Sequence, residues 1–129
     1  MGLLQPHGGH RRCDEQARLK TVTIRNLAEA RAALDAAREA GEAIALASPP
    51  DAAIQYGVLF YVKLAEALAA EYPDLKPAIA LDCGDRADLA HDAMRLGLKS
   101  IIFRGDARAA ESLADIAAQL GITFEARSA

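Results

Sequence analysis

The chain has 129 residues, 52% of them hydrophobic and 26% charged, which bounds it to one globular domain with a single sizeable core. A formal net charge of -3 argues against a binder that tracks nucleic-acid phosphates with a basic face. No apolar run approaches the ~20 residues of a spanning helix, and residues 1–20 lack the apolar stretch of a signal peptide.

Residues 1–20 hold Pro6, Gly8, Gly9 and the pair Arg11-Arg12 without helical or strand periodicity. They are expected to form a flexible arm in front of a single α/β domain at 21–129. His7, His10 and Cys13 are evenly spaced there, but with no fourth ligand they do not make a metal site. The other cysteine, Cys83, falls in the expected core, so no disulfide is expected and the compartment implied is the cytoplasm.

The run TVTIR at 21–25 alternates polar and apolar residues, as a strand buried on one face does. Asn26 then caps a helix over 27–40, with Glu29 placed three residues on for a capping box and Gly41 for a left-handed stop. AIALA at 43–47 is wholly apolar and reads as a buried parallel strand. In Ser48-Pro49-Pro50-Asp51, Ser at the N-cap and proline in the first turn announce the next helix.

That second helix, within 51–72, departs from the amphipathic rule. Ile54, Tyr56, Val58, Leu59, Phe60, Tyr61, Val62, Leu64 and Leu68 leave only a narrow polar strip near Lys63, Glu66 and Glu71. A helix that covers one sheet face needs one apolar stripe. Tyr56, Leu59, Phe60 and Tyr61 are therefore candidate interface residues. Gly57 allows 51–56 to be a separate turn, and Pro73 ends the helix.

AIALD at 78–82 is the third strand, Asp85 is expected to cap a helix over 86–96, and Gly97 stops it. SIIF at 100–103 is the fourth strand; Asp106 caps the helix 107–120, which Gly121 stops; ITFEAR at 122–127 closes the chain. The order is βαβαβαβαβ, a five-stranded parallel sheet with four helices and right-handed crossovers. Two arrangements fit it: a three-layer, flavodoxin-like sheet of order 2-1-3-4-5, or the sequential order of half a (βα)₈ barrel. The first and last strands alternate while the middle three are apolar throughout, which favours the sequential order. A half-barrel leaves a sheet face and edges open, and a second copy would cover them.

Ligands of open α/β sheets bind beyond the carboxyl ends of the strands. The candidate ligand rim there is Asn26, Ser48, Asp82, Cys83, Gly84, Asp85 and Arg104. Amide groups at the start of the 86–96 helix would welcome an anion, and Asp82 and Asp85 would repel one. Cys83 has the helix-start setting that lowers a thiol pKa, opposed by the flanking carboxylates, and no second cysteine is near in sequence. His91 sits on the following helix.

Missing residues set several activities aside. The layout resembles a phosphorylatable receiver domain, but Arg25-Asn26 and Arg127 stand where its acidic pair and lysine belong. None of Lys20, Lys63, Lys76 and Lys99 follows a strand as a Schiff-base lysine must, and there is no G-x-G-x-x-G or G-x-x-x-x-G-K-[ST]. The run ALDCGDRADLAHDAMRLGLKSIIF, about a fifth of the chain, resembles segments of small uncharacterised proteobacterial α/β proteins. More loosely it resembles one βα unit of barrel enzymes and of anti-sigma-antagonist-like domains. The resemblance implies the βαβ fold and no activity.

Two functions remain in view. One is a cytoplasmic, non-catalytic binding or regulatory module that self-associates as a dimer, with a small molecule or another protein as further partner, and with no cofactor, nucleic acid or membrane involved. The other is a small enzyme, or a remnant of a barrel enzyme, acting at Asp82 and Cys83 with Arg104 as an anion contact.

Overall fold

The computed structural model describes residues 19–127. The expected arm, with His7, His10 and Cys13, lies outside them except at its end, where the first strand begins. The elements run β1 (Lys20–Thr23), α1 (Leu27–Ala40), β2 (Ile44–Ala47), α2 (Ala52–Tyr56), α3 (Val58–Glu71), β3 (Ile79–Asp82), α4 (Ala87–Arg95), β4 (Ser100–Phe103), α5 (Ala107–Leu120) and β5 (Thr123–Ala126). All neighbouring strands are parallel, in the order β1-β2-β3-β4-β5. The flavodoxin-like order is thereby overturned.

Period-two alternation of side chains assigns each strand residue to one of two faces. The register aligns Val22 with Leu46, Leu46 with Ile79, Leu81 with Ile101, and Ile101 with Phe124. These residues join one hydrophobic cluster with buried side chains from all five helices, among them Leu34, Ala52, Tyr61, Leu68, Ala90, Ala93 and Leu113. The helices therefore lie in one layer against one sheet face, not in the two flanking layers of a three-layer fold. Each fully buried large aliphatic such as Leu68 or Ile101 contributes roughly 1.5–3 kcal/mol to that packing.

The opposite row holds Thr21, Ala45, Ala47, Ala80, Ser100, Thr123 and Glu125, none of them in the cluster. Ile102 belongs to this row, paired between Asp82 and Glu125, and is nonetheless buried. Among the described residues no helix packs on this face, which carries Asp82, Ile102 and Glu125 toward its carboxyl end and small residues elsewhere.

Among the described residues there are five helices rather than four. The chain breaks between α2 and α3 at Gly57, whose φ of 91° no side chain favours. A second departure lies at the far ends of α1 and α3. Arg31 makes a bidentate pair with Glu71, Arg38 reaches Asp74 at 2.7 Å, and the Tyr72 hydroxyl donates to Asp35 at 2.8 Å. Arg38 also lies over the Tyr72 ring, 5.0 Å from its centroid. These contacts clamp two helices forty residues apart in sequence, a pairing that local patterns do not reveal. Among the described residues no helix is long and apolar enough to cross a membrane.

Candidate functional site

The sequential sheet brings every strand end to one rim, but the candidate rim residues meet there in different roles. Asn26 is exposed and caps α1: its side chain accepts from Glu29 N–H at 2.8 Å, while the Glu29 carboxylate accepts from Arg25 N–H at 2.7 Å. Capping occupies its side-chain oxygen.

Ser48 does not cap a helix. Its hydroxyl accepts from the Asp82 amide at 2.9 Å and donates to the Pro49 carbonyl at 3.1 Å, tying the end of β2 to the end of β3. The residue that precedes α2 is Asp51, in the left-handed region at φ 60°, and its side chain makes no cap. The two prolines at 49 and 50 set the chain's exit from β2 but leave Asp51 to make the turn.

Asp82 is the centre of the rim. It is 1% exposed and accepts three hydrogen bonds: from Asp51 N–H at 3.1 Å, from Gly84 N–H at 2.9 Å, and from Arg104 Nε at 2.8 Å. The first two use one carboxylate oxygen and the third uses the other. A buried carboxylate persists only with such partners. Arg104 is itself held, because its backbone N–H donates to Gly84 O at 2.7 Å. Gly84 has φ 59°, and a Cβ there would lie 2.4 Å from Asp51 Oδ1 and 2.9 Å from Ile54 Cδ1. The loop after β3 and the start of α2 are in direct contact.

Cys83 points into the core on the helix side, fully buried, with Sγ 3.8 Å from the Leu81 carbonyl. Burial, followed by the charges of Asp82 and Asp88, pushes its thiol up to about 12. At neutral pH it is a protonated thiol and a poor nucleophile. Asp85 is exposed and does not cap the next helix: α4 starts at Ala87 behind Arg86, whose guanidinium clasps Asp88 in two hydrogen bonds. His91 is exposed on α4. Arg127 pairs with Glu125 beside this end of the sheet. Among the described residues no group of His, Cys, Asp and Glu is arranged to hold a metal ion.

The candidate interface divides. Tyr56, Leu59 and Phe60 are 53%, 59% and 43% exposed, and Tyr61 is fully buried. Tyr61 is therefore a core residue, turned inward by one helical step from Phe60, whose ring meets it edge-on at 5.0 Å. Its hydroxyl is buried and has no hydrogen-bond partner among the described residues. In its place the structure adds Ile54, 43% exposed on α2, to the surface set. Four of the six large exposed hydrophobics among the described residues thus fall within residues 54–60, where Tyr56 and Phe60 also approach each other at 6.4 Å.

No protein-family model matches the chain, and no curated protein matches it. What the rim and the α2–α3 surface do must be argued from their own geometry.

Proposed function

We propose that the chain is a non-catalytic module that self-associates as a dimer through the surface of α2 and the first turn of α3. The observation that carries this reading is the exposed cluster of Ile54, Tyr56, Leu59 and Phe60. Contiguous apolar patches on soluble domains mark contact surfaces, whereas single exposed apolar residues do not. Aromatic side chains are the usual anchors of such contacts.

The other routes to self-association are less favourable. The edge strands β1 and β5 have four residues each and carry Lys20 and Glu125, the short charged edges that discourage strand addition. The opposite sheet face offers alanine, serine, threonine and Glu125, and its one large apolar side chain, Ile102, is buried. The α2–α3 surface has anchors, and its surroundings carry both charge signs: Lys63 with Glu66 on α3, and Arg25 with Glu29 at α1. A two-fold axis brings a patch against itself, and such a mixed border can meet its own copy without net repulsion.

The rim chemistry supports a non-catalytic role. Asp82 spends both carboxylate oxygens on internal partners, and Cys83 is held as a buried thiol. The enzyme reading needs one of them to face a substrate.

Native mass spectrometry on the untagged protein and on Phe60→Glu tests the proposal. The expected result is a dimer for the parent chain and a monomer for the variant, with unchanged circular dichroism. A parent chain that stays monomeric at about 100 μM, well above the micromolar range of specific contacts, overturns it. A variant that stays dimeric moves the contact away from Phe60.

A further inference from the structure

The five-residue helix α2 is built as a hinged piece. It lies between two residues with left-handed φ, Asp51 at 60° and Gly57 at 91°. Its fully buried side chains are Ala52 and Ala53, which tie it down with one methyl group each. Inward of it lies β3, against which it packs. Its outward side chains are Ile54, Gln55 and Tyr56.

The contacts that hold it shut converge on the loop after β3. Asp51 N–H donates to Asp82 at 3.1 Å, the longest of the three bonds to that carboxylate. Gly84 is buried although it has no side chain, because Asp51 and Ile54 lie over it, so close that a Cβ would collide with both. Cys83, one residue earlier, shares the hydrophobic cluster with Ala52 and Ala53. Lifting residues 51–57 would uncover this loop and take Ile54 and Tyr56 away from Leu59 and Phe60.

We propose that residues 51–57 are a hinged flap whose closed position both shuts Cys83 away from solvent and completes the apolar surface of Ile54, Tyr56, Leu59 and Phe60, so that self-association holds the flap closed. The coupling rests on the self-association proposed above. A second copy that contacts Ile54 and Tyr56 binds the closed state only, and by mass action it lowers the open fraction as protein concentration rises. The buried thiol is the reporter, since it reacts only from a state in which it is exposed.

The test is alkylation of Cys83 by N-ethylmaleimide in a Cys13→Ser background, followed by mass spectrometry across sub-denaturing urea. Opening of a five-residue helix exposes little surface, so the labelling rate is expected to stay nearly flat until global unfolding takes over. A rate that climbs from the first urea additions with the slope of global unfolding overturns the flap. At protein concentrations well above the dimer dissociation constant the rate is expected to fall at least tenfold. Phe60→Glu is expected to keep the fast rate at every concentration. Flat urea dependence with no concentration effect, in a sample that native mass spectrometry shows to be dimeric, overturns the coupling and leaves the self-association reading intact. A parent chain monomeric at every concentration overturns that reading and the coupling together, and urea-independent labelling would then support the flap alone.

Discussion

Arg104 reaches from the end of β4 across to Asp82 at the end of β3, with its Nε 2.8 Å from a carboxylate oxygen. The Asp82 side chain is 2% exposed and that of Arg104 27%. The pair closes the rim between the neighbouring inner strands β3 and β4, where the register sets Asp82 beside Ile102. Because Asp82 also holds the amides of Asp51 and Gly84, one carboxylate fixes three stretches of chain that are far apart in sequence.

Removing one member of this pair leaves the other stranded. Arg104→Met is expected to cost about 3 kcal/mol, the range for a buried pair broken on one side. Asp82→Asn should cost a similar amount, since it also weakens the acceptor for two amides. The double variant should be less unstable than the sum of the singles by about 1–3 kcal/mol, as contacting residues couple. Urea unfolding of the four proteins measures all three quantities. Additive losses would mean that the pair contributes nothing as a pair.

The parts of this architecture that were legible in sequence are those set by neighbours in the chain. Asn26 with Glu29, Asp106 with the Ala109 amide, and the left-handed stops at Gly41 and Gly121 are contacts within a few residues, and the residue types required are few. Strand order was legible from a weaker signal, the polar alternation of β1 and β5 against the apolar β2 to β4, because only central strands are flanked on both sides. The rim was legible as a place but not as a set of roles. Ser48 and Asp85 both stand where caps stand, yet Ser48 binds an amide 34 residues away and α4 begins behind Arg86, one residue past Asp85. The inward turn of Tyr61 is hidden for a related reason: where a helix is apolar on most of its circumference, composition cannot say which side faces in.

The Tyr61 hydroxyl is buried with no partner among the described residues, while its ring fills the core beside Phe60. An unsatisfied buried hydroxyl costs about 1–3 kcal/mol relative to a paired one. Tyr61→Phe keeps the ring and deletes the orphan group. It is therefore expected to raise stability by about 1 kcal/mol, against the general tendency of core substitutions to lower it. Thermal unfolding followed by circular dichroism reads the shift; a clear loss of stability would show that the hydroxyl has a partner in solution.

Gly105 tests how tightly the rim is packed. A Cβ at this position would lie 2.3 Å from the Phe103 ring, which is itself almost fully buried. Gly105→Ala is expected to cost about 1–3 kcal/mol through overpacking. Gly41→Ala is the control: it meets nothing within 4 Å, so it carries only the strain of a left-handed alanine at φ 69°, about 1 kcal/mol. Urea midpoints of the two variants should rank in that order, and equal losses would argue that Phe103 has room to shift.

Cys83 gives the protein a specific alkaline weakness. Its thiol is raised from 9.0 to about 12 by burial and by Asp82 and Asp88, so the folded state keeps its proton after the unfolded chain has lost it. The contribution to stability is fully present below the unfolded pKa and is lost as pH rises through the folded one. Between about pH 9 and about 12 the unfolded state is therefore favoured progressively, by up to about 1.4 kcal/mol for each pH unit. Lysines and tyrosines also titrate in this range, so the comparison is between the parent chain and Cys83→Ala, each referred to its own stability at pH 8. Urea midpoints at pH 8, 9.5 and 10.5 should fall more steeply for the parent chain, with the gap widening at each step. Parallel curves would place the thiol in contact with water, against the burial that pushes its pKa up.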